Sequence, residues 1–303
     1  MAEYGNIDPE LELAAGSFAA GSRWAGLSRH LEEIKVVYTD LDGTMMGPLG
    51  CFLCNIKGEF IERPVRVLVE MLRRGVDLVP VSGRSGKQLL ETARLLGIKN
   101  YIAELGVERF YNFGEKVVFD TGVVNIEGEE LLDYITATGV VDWLLSRYPR
   151  KVELHTPWSN FRDCTPLFRG LLDITEVNGL LEAEYPEFVV VDNGILQLTS
   201  PTLDVGELRA YHLVPRGVSK EKAVADDIRT RGFKRSQTIG AGDSDADLNL
   251  AGVVGVFFLM RNGFLANPRF SALLSEYENV VVTKGFLNEG WAEAMELAIL
   301  DRQ

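Results

Sequence analysis

Ile34-Lys35-Val36-Val37-Tyr38-Thr39-Asp40-Leu41-Asp42-Gly43-Thr44 is the stretch whose reading settles the fold. Its first half is apolar and β-branched, the composition of a buried strand in a parallel sheet. The strand runs straight into two carboxylates one residue apart, then Gly-Thr. In an open α/β sheet, ligands bind at the carboxyl ends of the strands. Alternate strand residues share a face, so Asp40 and Asp42 are placed to point the same way. Like charges that close call for a cation or a shared proton. Gly43 permits a tight turn whose backbone N–H groups aim at an anion. The stretch outlines a phosphate held beside a metal, with one carboxylate positioned to attack. A strand-end Asp-x-Asp that merely caps a turn is the plainer alternative.

Composition narrows the choice. A length of 303 residues suggests two domains, and 46% hydrophobic with 25% charged residues is ordinary for a globular protein. The formal net charge of −13 argues against nucleic acid or an anionic membrane as partner. An acidic protein acting on an anionic substrate needs a local cation, which favours a divalent metal. Three cysteines give no disulfide framework and suit a reducing cytoplasm. No apolar run approaches the ~18 residues of a membrane span, and the N-terminus lacks an export pattern. A cytoplasmic protein acting on a small metabolite is the expectation, with oligomeric state open.

Residues 1–33 read as a loosely held arm with room for a short helix, in which Trp24 and His30 are packing or surface residues. After Thr44, Gly and Pro punctuate short apolar runs up to Phe60, the pattern of a hairpin or flap. Its Cys51 and Cys54 form a lone C-x-x-C. Zinc would need two further ligands, for which only Cys164 and three scattered histidines remain, so a metal or redox role for the pair is the minor reading and the purpose of this flap stays open. Pro64 opens a helix that Gly75 closes, with Val65, Leu68, Val69 and Leu72 on one face. Residues 76–81 form a second apolar strand ending in Ser82-Gly83-Arg84, a hydroxyl and a Gly that offer donors to an anion. A helix over 85–96, capped by Gly97, and a third strand over 101–103 complete a βαβαβ pattern, the start of a doubly wound sheet.

From Arg109 the pattern changes. Strand-like segments over 116–119, 152–155, 188–191 and 195–198 alternate with helical ones over 128–137, 140–148 and 173–185. Asp192-Asn193-Gly194 predicts a hairpin turn, so Asn193 reads as a turn residue. The core pattern then resumes. A helix begins near Lys220 with Ser219 as N-cap, and a strand over 237–242 leads into Asp243-Ser244-Asp245-Ala246-Asp247. A helix over 246–251, strands over 253–259 and 280–283, and a closing helix over 289–300 follow. The expected division is an arm (1–33), a catalytic core (34–109 with 207–303) and an inserted α+β domain (110–206).

Asp40/Asp42, Ser82, Lys220 and Asp243/Asp247 occur in an order and spacing that resembles the haloacid dehalogenase (HAD) superfamily of phosphohydrolases. Asp40-Leu41-Asp42-Gly43-Thr44 is among the family's more specific signatures, and the likeness covers about residues 34–300. The insertion is similar to the large α+β cap of the Cof-type branch, which includes sucrose-phosphate, trehalose-phosphate and mannosyl-phosphoglycerate phosphatases and phosphomannomutases. The resemblance implies an α/β, doubly wound, Rossmann-like core with an inserted cap, and a Mg²⁺-dependent phosphatase of a small phosphorylated sugar or related metabolite.

It also implies roles. Asp40 is the expected nucleophile, forming an aspartyl phosphate and splitting one hard displacement into two. Asp42 is the expected general acid and then base. Mg²⁺ is expected on the Asp40 side chain, the Asp42 backbone carbonyl and Asp243, an oxygen-rich set that suits this ion. Ser82 and the Gly83 N–H are expected to hold the phosphoryl group, and Lys220 to offset its charge, with Lys222 the competing lysine. Asp247 is expected behind the metal or on one of its waters. The fourth motif departs from the family's usual Asn-Asp, since Ala246 precedes Asp247. Glu104-Leu105-Gly106 stands where Glu-Asn-Gly is common.

In the insertion, His155-Thr156-Pro157-Trp158-Ser159-Asn160-Phe161-Arg162-Asp163 mixes aromatic, polar and cationic groups. Trp158 is suited to stack on a sugar ring and Arg162 to hold a second anion, with His155 beside them. A structural Arg–Asp pair is the alternative for Arg162. Three other functions compete: a phosphosugar mutase, a receiver-like phospho-switch and a non-catalytic binding protein. The general-acid position of Asp42 and the large insertion argue against the switch.

Overall fold

The computed structural model describes residues 22–196 and 198–301, so most of the expected N-terminal arm lies outside the described residues. The chain forms two compact units. The stretches up to Ser82 and from Val224 make the first, and Gly83–Ala223 is the second. In chain order the strands are β1 (Val36–Thr39), β2 (Asp77–Pro80), β3 (Tyr101–Ala103), β4 (Glu108–Tyr111), β5 (Lys116–Phe119) and β6 (Val152–Leu154). They continue as β7 (Leu167–Gly170), β8 (Phe188–Leu196), β9 (Leu208–Pro215), β10 (Thr238–Gly242), β11 (Val256–Leu259) and β12 (Val280–Val282).

The first unit is built on a five-stranded sheet in the order β12-β11-β10-β1-β2, with every pairing parallel. The molecule is thus α/β with a doubly wound core. Residues of β1, β10, β11 and β12 are buried throughout, which explains why their sequences are continuous apolar runs and do not alternate. The helix Arg63–Arg73 carries a proline in its first turn, and Gly75 follows it with φ 72°. It buries Pro64, Val67, Leu68 and Met71. The expected face was displaced by about one position: Val69 is exposed. This sequence offers two overlapping stripes, and packing against the helix Leu287–Met295 selects the one holding Met71. A polar stitch ties β1 and β2 to the helix Lys220–Arg231. Tyr38 donates to Asp227 Oδ2 at 2.6 Å, and Arg231 joins Asp227 to Asp77. Burial, then the Asp227 charge, pushes the Tyr38 phenol well above its ordinary range, so it stays a donor.

β3 is not the third parallel strand that the sequence suggests. It pairs antiparallel with β4, Ala103 opposite Glu108, in a separate sheet β3-β4-β5. The cause is local. Glu104, Leu105 and Gly106 all have positive φ (46°, 59° and 110°), so the chain reverses immediately after β3.

The second unit adds an antiparallel sheet in the order β6-β7-β9-β8. Its core gathers Ile135, Leu144, Phe168, Leu181, Tyr211 and their neighbours. The helix Gly86–Leu96 starts at a reciprocal Ser85–Gln88 capping box and ends at Gly97 in the left-handed region. The helices Leu131–Ala137, Val140–Arg147 and Ile174–Glu184 form close to where periodicity places them. The expected hairpin at 192–194 is absent. β8 runs through it, and its register against β9 shifts between Asp192 and Ile195. The Gly194 N–H donates to Asp192 Oδ1 at 2.9 Å, and Arg209 of β9 pairs with Asp192 at 2.6 Å. An Asp-Asn-Gly with positive φ at Gly194 serves a bulge as well as a turn.

Candidate active site

β1 lies between β2 and β10, and Thr39 is level with both Pro80 and Ala241. The strand order reverses between β1 and β10, the crevice where doubly wound sheets place ligands. Asp40 leaves β1 with its N–H on the Ala241 carbonyl, 2.9 Å away. Asp243 follows β10 by one residue. Val81 donates to the Thr39 carbonyl at 2.8 Å, which brings the buried Ser82 to the level of Leu41 and Asp42. Three of the segments singled out in the sequence therefore emerge from three adjacent strand ends.

Gly43 turns the chain with φ 89°, and a Cβ there would collide with the Asp243 carboxylate. Thr44 and Met46 donate to the Leu41 carbonyl at 3.2 and 2.8 Å, closing the loop. Asp40, Asp243 and Asp247 each bring an oxygen within 4.8 Å of the others. Among the described residues this is the only group of three side chains with metal-ligand character. An all-oxygen set carrying several charges fits a hard divalent cation such as Mg²⁺.

The trio is braced. Thr44 Oγ1 donates to Asp243 Oδ1 at 3.1 Å. Asn262 Nδ2 donates to the Gly43 carbonyl at 2.7 Å and lies 3.4 Å from Asp243 Oδ2. Asp247 Oδ2 accepts from Ser244 Oγ at 2.6 Å and from the Ser244 and Asp243 N–H groups at 3.1 and 3.3 Å. Asp247 thus closes a capping box on the helix Asp245–Leu248 while joining the trio. The Asp42 side chain is exposed and outside the trio.

Sequence reasoning gave no role to Thr44, Ser244 or Asn262. Asn262 had one usable signal, a polar residue three positions after the apolar strand β11, near the carboxyl edge of the sheet.

Gly83 and Lys220 belong to the second unit. Lys220 opens its helix and is 3% exposed, whereas the Lys222 side chain is 48% exposed and pairs with Asp120. The two lysines, of which the sequence favours Lys220, thus differ in burial. Ser219 caps the helix, its Oγ accepting from the Lys222 N–H at 3.1 Å.

Arg162 is buried and enclosed. It donates to the Thr165 carbonyl at 2.7 Å, the Gly83 carbonyl at 2.9 Å and Thr165 Oγ1 at 3.0 Å, and lies 3.1 Å from Glu104. Its Nη2 also stands 3.2 Å from His212 Nδ1. The guanidinium is committed to the fold of its own unit. Its carboxylate partner is Glu104, while Asp163 pairs with Lys87 at 2.6 Å. Glu104 Oε2 further accepts from the Thr165 N–H and Oγ1 at 2.7 and 2.6 Å.

Burial first, and then the Arg162 charge, drive His212 well below the ordinary imidazole value. Accepting at Nδ1, the neutral ring carries its proton on Nε2. A Cβ on Gly83 would come within 2.6 Å of Asn193 Nδ2 and 2.8 Å of His212 Nε2, so this position needs glycine. His155 is buried, its Nδ1 without a hydrogen-bond partner among the described residues. Desolvation, then Arg169, lowers its pKa to about 4. Trp158, in the turn Trp158–Phe161, has 46% of its surface exposed.

No family model and no curated protein sequence matches the chain. Solved structures do. A protein from Thermoplasma acidophilum, 0175, superposes with a TM-score of 0.59 at 17% identity, covering 88% of this chain and 100% of that one. A haloacid dehalogenase-like hydrolase from Bacteroides thetaiotaomicron gives 0.55 at 17%, over 87% and 99%. The sucrose-phosphatase from Synechocystis sp. PCC6803, in complex with sucrose and phosphate, gives 0.58 at 16%, over 87% and 97%.

Proposed function

We propose, taking the fold shared with haloacid dehalogenase-like hydrolases as the premise, that this chain is a Mg²⁺-dependent phosphatase of a small phosphorylated sugar or related metabolite. The observation that carries the reading is the carboxylate trio of Asp40, Asp243 and Asp247 at the reversal point of the parallel sheet. The residues that would hold the ion are Asp40, Asp243 and the Asp42 backbone carbonyl, with Asp247 behind or beside them. A bound divalent cation supplies charge neutralisation and in-line orientation for phosphoryl transfer.

An Asp40 oxygen attacks phosphorus, and the bond from phosphorus to the sugar oxygen breaks as the aspartyl phosphate forms. Asp42, exposed and able to exchange protons with solvent, protonates the departing alkoxide. As a carboxylate it then takes a proton from water, which attacks the same phosphorus and releases phosphate and free Asp40. Ser82, the Gly83 N–H and Lys220 hold the phosphoryl oxygens. Trp158 and His155 are assigned to the leaving group, while Arg162 braces their domain and is not a ligand. That the sucrose-phosphatase neighbour was solved with sucrose and phosphate supports a sugar phosphate as the class to try first.

The experiment is a screen of phosphorylated sugars and glycerates with Mg²⁺, with and without chelator. Phosphate release that chelator stops is the expected result. An isomerised ester from a hexose 1-phosphate, with no phosphate released, would replace the phosphatase by a mutase. No turnover of any ester would remove both.

A further inference from the structure

The segment after Thr44 holds a pair of groups that hydrolysis leaves idle. Cys51 and Cys54 are free thiols, both part-exposed, and their Sγ atoms stand 3.3 Å apart. The backbone around them is pinned. Gly47 donates to the Cys51 carbonyl at 2.9 Å, and buried Asn288 donates to the carbonyls of Phe52 and Cys54 at 2.9 and 2.8 Å. Asn55 Oδ1 accepts from the N–H groups of Lys57 and Glu59, each at 3.0 Å. Cys54 also bridges to Phe60. The loop thus presents two part-exposed sulfurs at fixed backbone positions, 3.3 Å apart against the ~2.0 Å of a disulfide. A zinc site is disfavoured, because the two thiols lie in no group of three ligand-competent side chains among the described residues.

The two sulfurs are not equivalent. A hydrogen bond from the Cys54 thiol, then one from the Leu53 N–H, holds the Cys51 thiol below its usual value. The same hydrogen bond raises Cys54. The lowered Cys51 thiol is taken as the attacking group, and Cys54, its sulfur 3.3 Å away, is within reach to resolve. The third cysteine, Cys164, is fully buried, and burial pushes its thiol far up.

We propose that Cys51 and Cys54 are a dithiol–disulfide couple, oxidised by a low-molecular-weight disulfide such as oxidised glutathione. The Cys51 thiolate attacks one sulfur of the oxidant, whose S–S bond breaks and releases one thiolate. Cys54, its proton passed to solvent, attacks Cys51 Sγ in the mixed disulfide and expels the second thiolate. The net change is a dithiol plus an external disulfide giving a Cys51–Cys54 disulfide plus two external thiols.

The test uses the full, reduced protein. It is incubated with oxidised glutathione, denatured in alkylating reagent, weighed intact and mapped by peptides. The expected product has lost two hydrogen atoms, carries a single alkyl group on Cys164, and yields a peptide linking Cys51 to Cys54. Under the same treatment Cys54→Ser keeps one glutathione on Cys51. Three alkylated cysteines in the wild type, or glutathione retained on both Cys51 and Cys54, would overturn the proposal. The wild-type peptide map decides even if the variant fails to fold.

Discussion

At the ends of β1 and β10, three carboxylates converge within 4.8 Å. In the second unit, the Arg162 guanidinium is enclosed by Glu104, Thr165, the Gly83 carbonyl and His212. Both clusters put charge where water is scarce, and they do so on opposite terms. The first gathers one sign of charge and braces it with neutral donors from Thr44 and Asn262. The second balances sign against sign and gives hydrogen-bond partners to both ions. Buried ions that complete one another hold an architecture. Like charges brought together by a sheet edge are an arrangement that costs stability and suits a cation and chemistry.

Breaking each cluster should produce a different kind of damage. Asp40→Asn keeps the shape and removes the nucleophile, so turnover should fall by roughly 10³-fold or more while the circular dichroism spectrum is unchanged. Activity retained within tenfold would defeat the assignment. Arg162→Ala should do the reverse. It leaves Glu104 buried without its cation, a loss of about 3–5 kcal/mol, read as earlier denaturation and faster hydrogen exchange within Gly83–Ala223. An unchanged stability with a raised KM for the best substrate would return Arg162 to the ligand role.

The smaller effects sharpen the contrast. Asn262→Ala removes a brace from Asp243 and is expected to weaken Mg²⁺ activation about 10–100-fold, with kcat at saturating metal little altered. A metal titration of activity checks this.

Glu108 tests the second unit. Burial, then the charges of Glu104 and Asp163, push its carboxyl pKa up to about 8 from an ordinary 4.5. A raised acid binds its proton more tightly in the folded state, so its contribution is complete below the unfolded value. It is lost as pH rises through about 8. Stability measured by denaturant should decline between about pH 5 and pH 8, and more gently in Glu108→Gln. Parallel declines would show that Glu108 titrates as it does in the unfolded chain.

How much of this was legible in the sequence depended on the range of the interaction. Residues 34–44 announced strand, turn and carboxylates together, because apolar run, Gly and Asp are all local signals. The helix beginning near Ser85 and its stop at Gly97 were legible for the same reason, though the Ser85–Gln88 capping box was not. Three other features were not. Tyr101–Ala103 has the composition of a core strand, and only the left-handed turn of Glu104 and Leu105 sends it to another sheet. Asp192-Asn193-Gly194 carries hairpin chemistry, but pairing along β9 carries the strand through it. Asn262 braces Asp243 from 19 positions away, a relation that spacing alone does not encode.

The covalent intermediate on Asp40 is the point on which the assignment turns. The measurement is rapid acid quenching during turnover of a phosphate ester with Mg²⁺, followed by borohydride reduction, which converts an aspartyl phosphate to homoserine, and peptide mass mapping. Homoserine at position 40 alone, absent without substrate, is the predicted result. Steady hydrolysis with Asp40 unmodified at every quench time, or with the label on another residue, would contradict it.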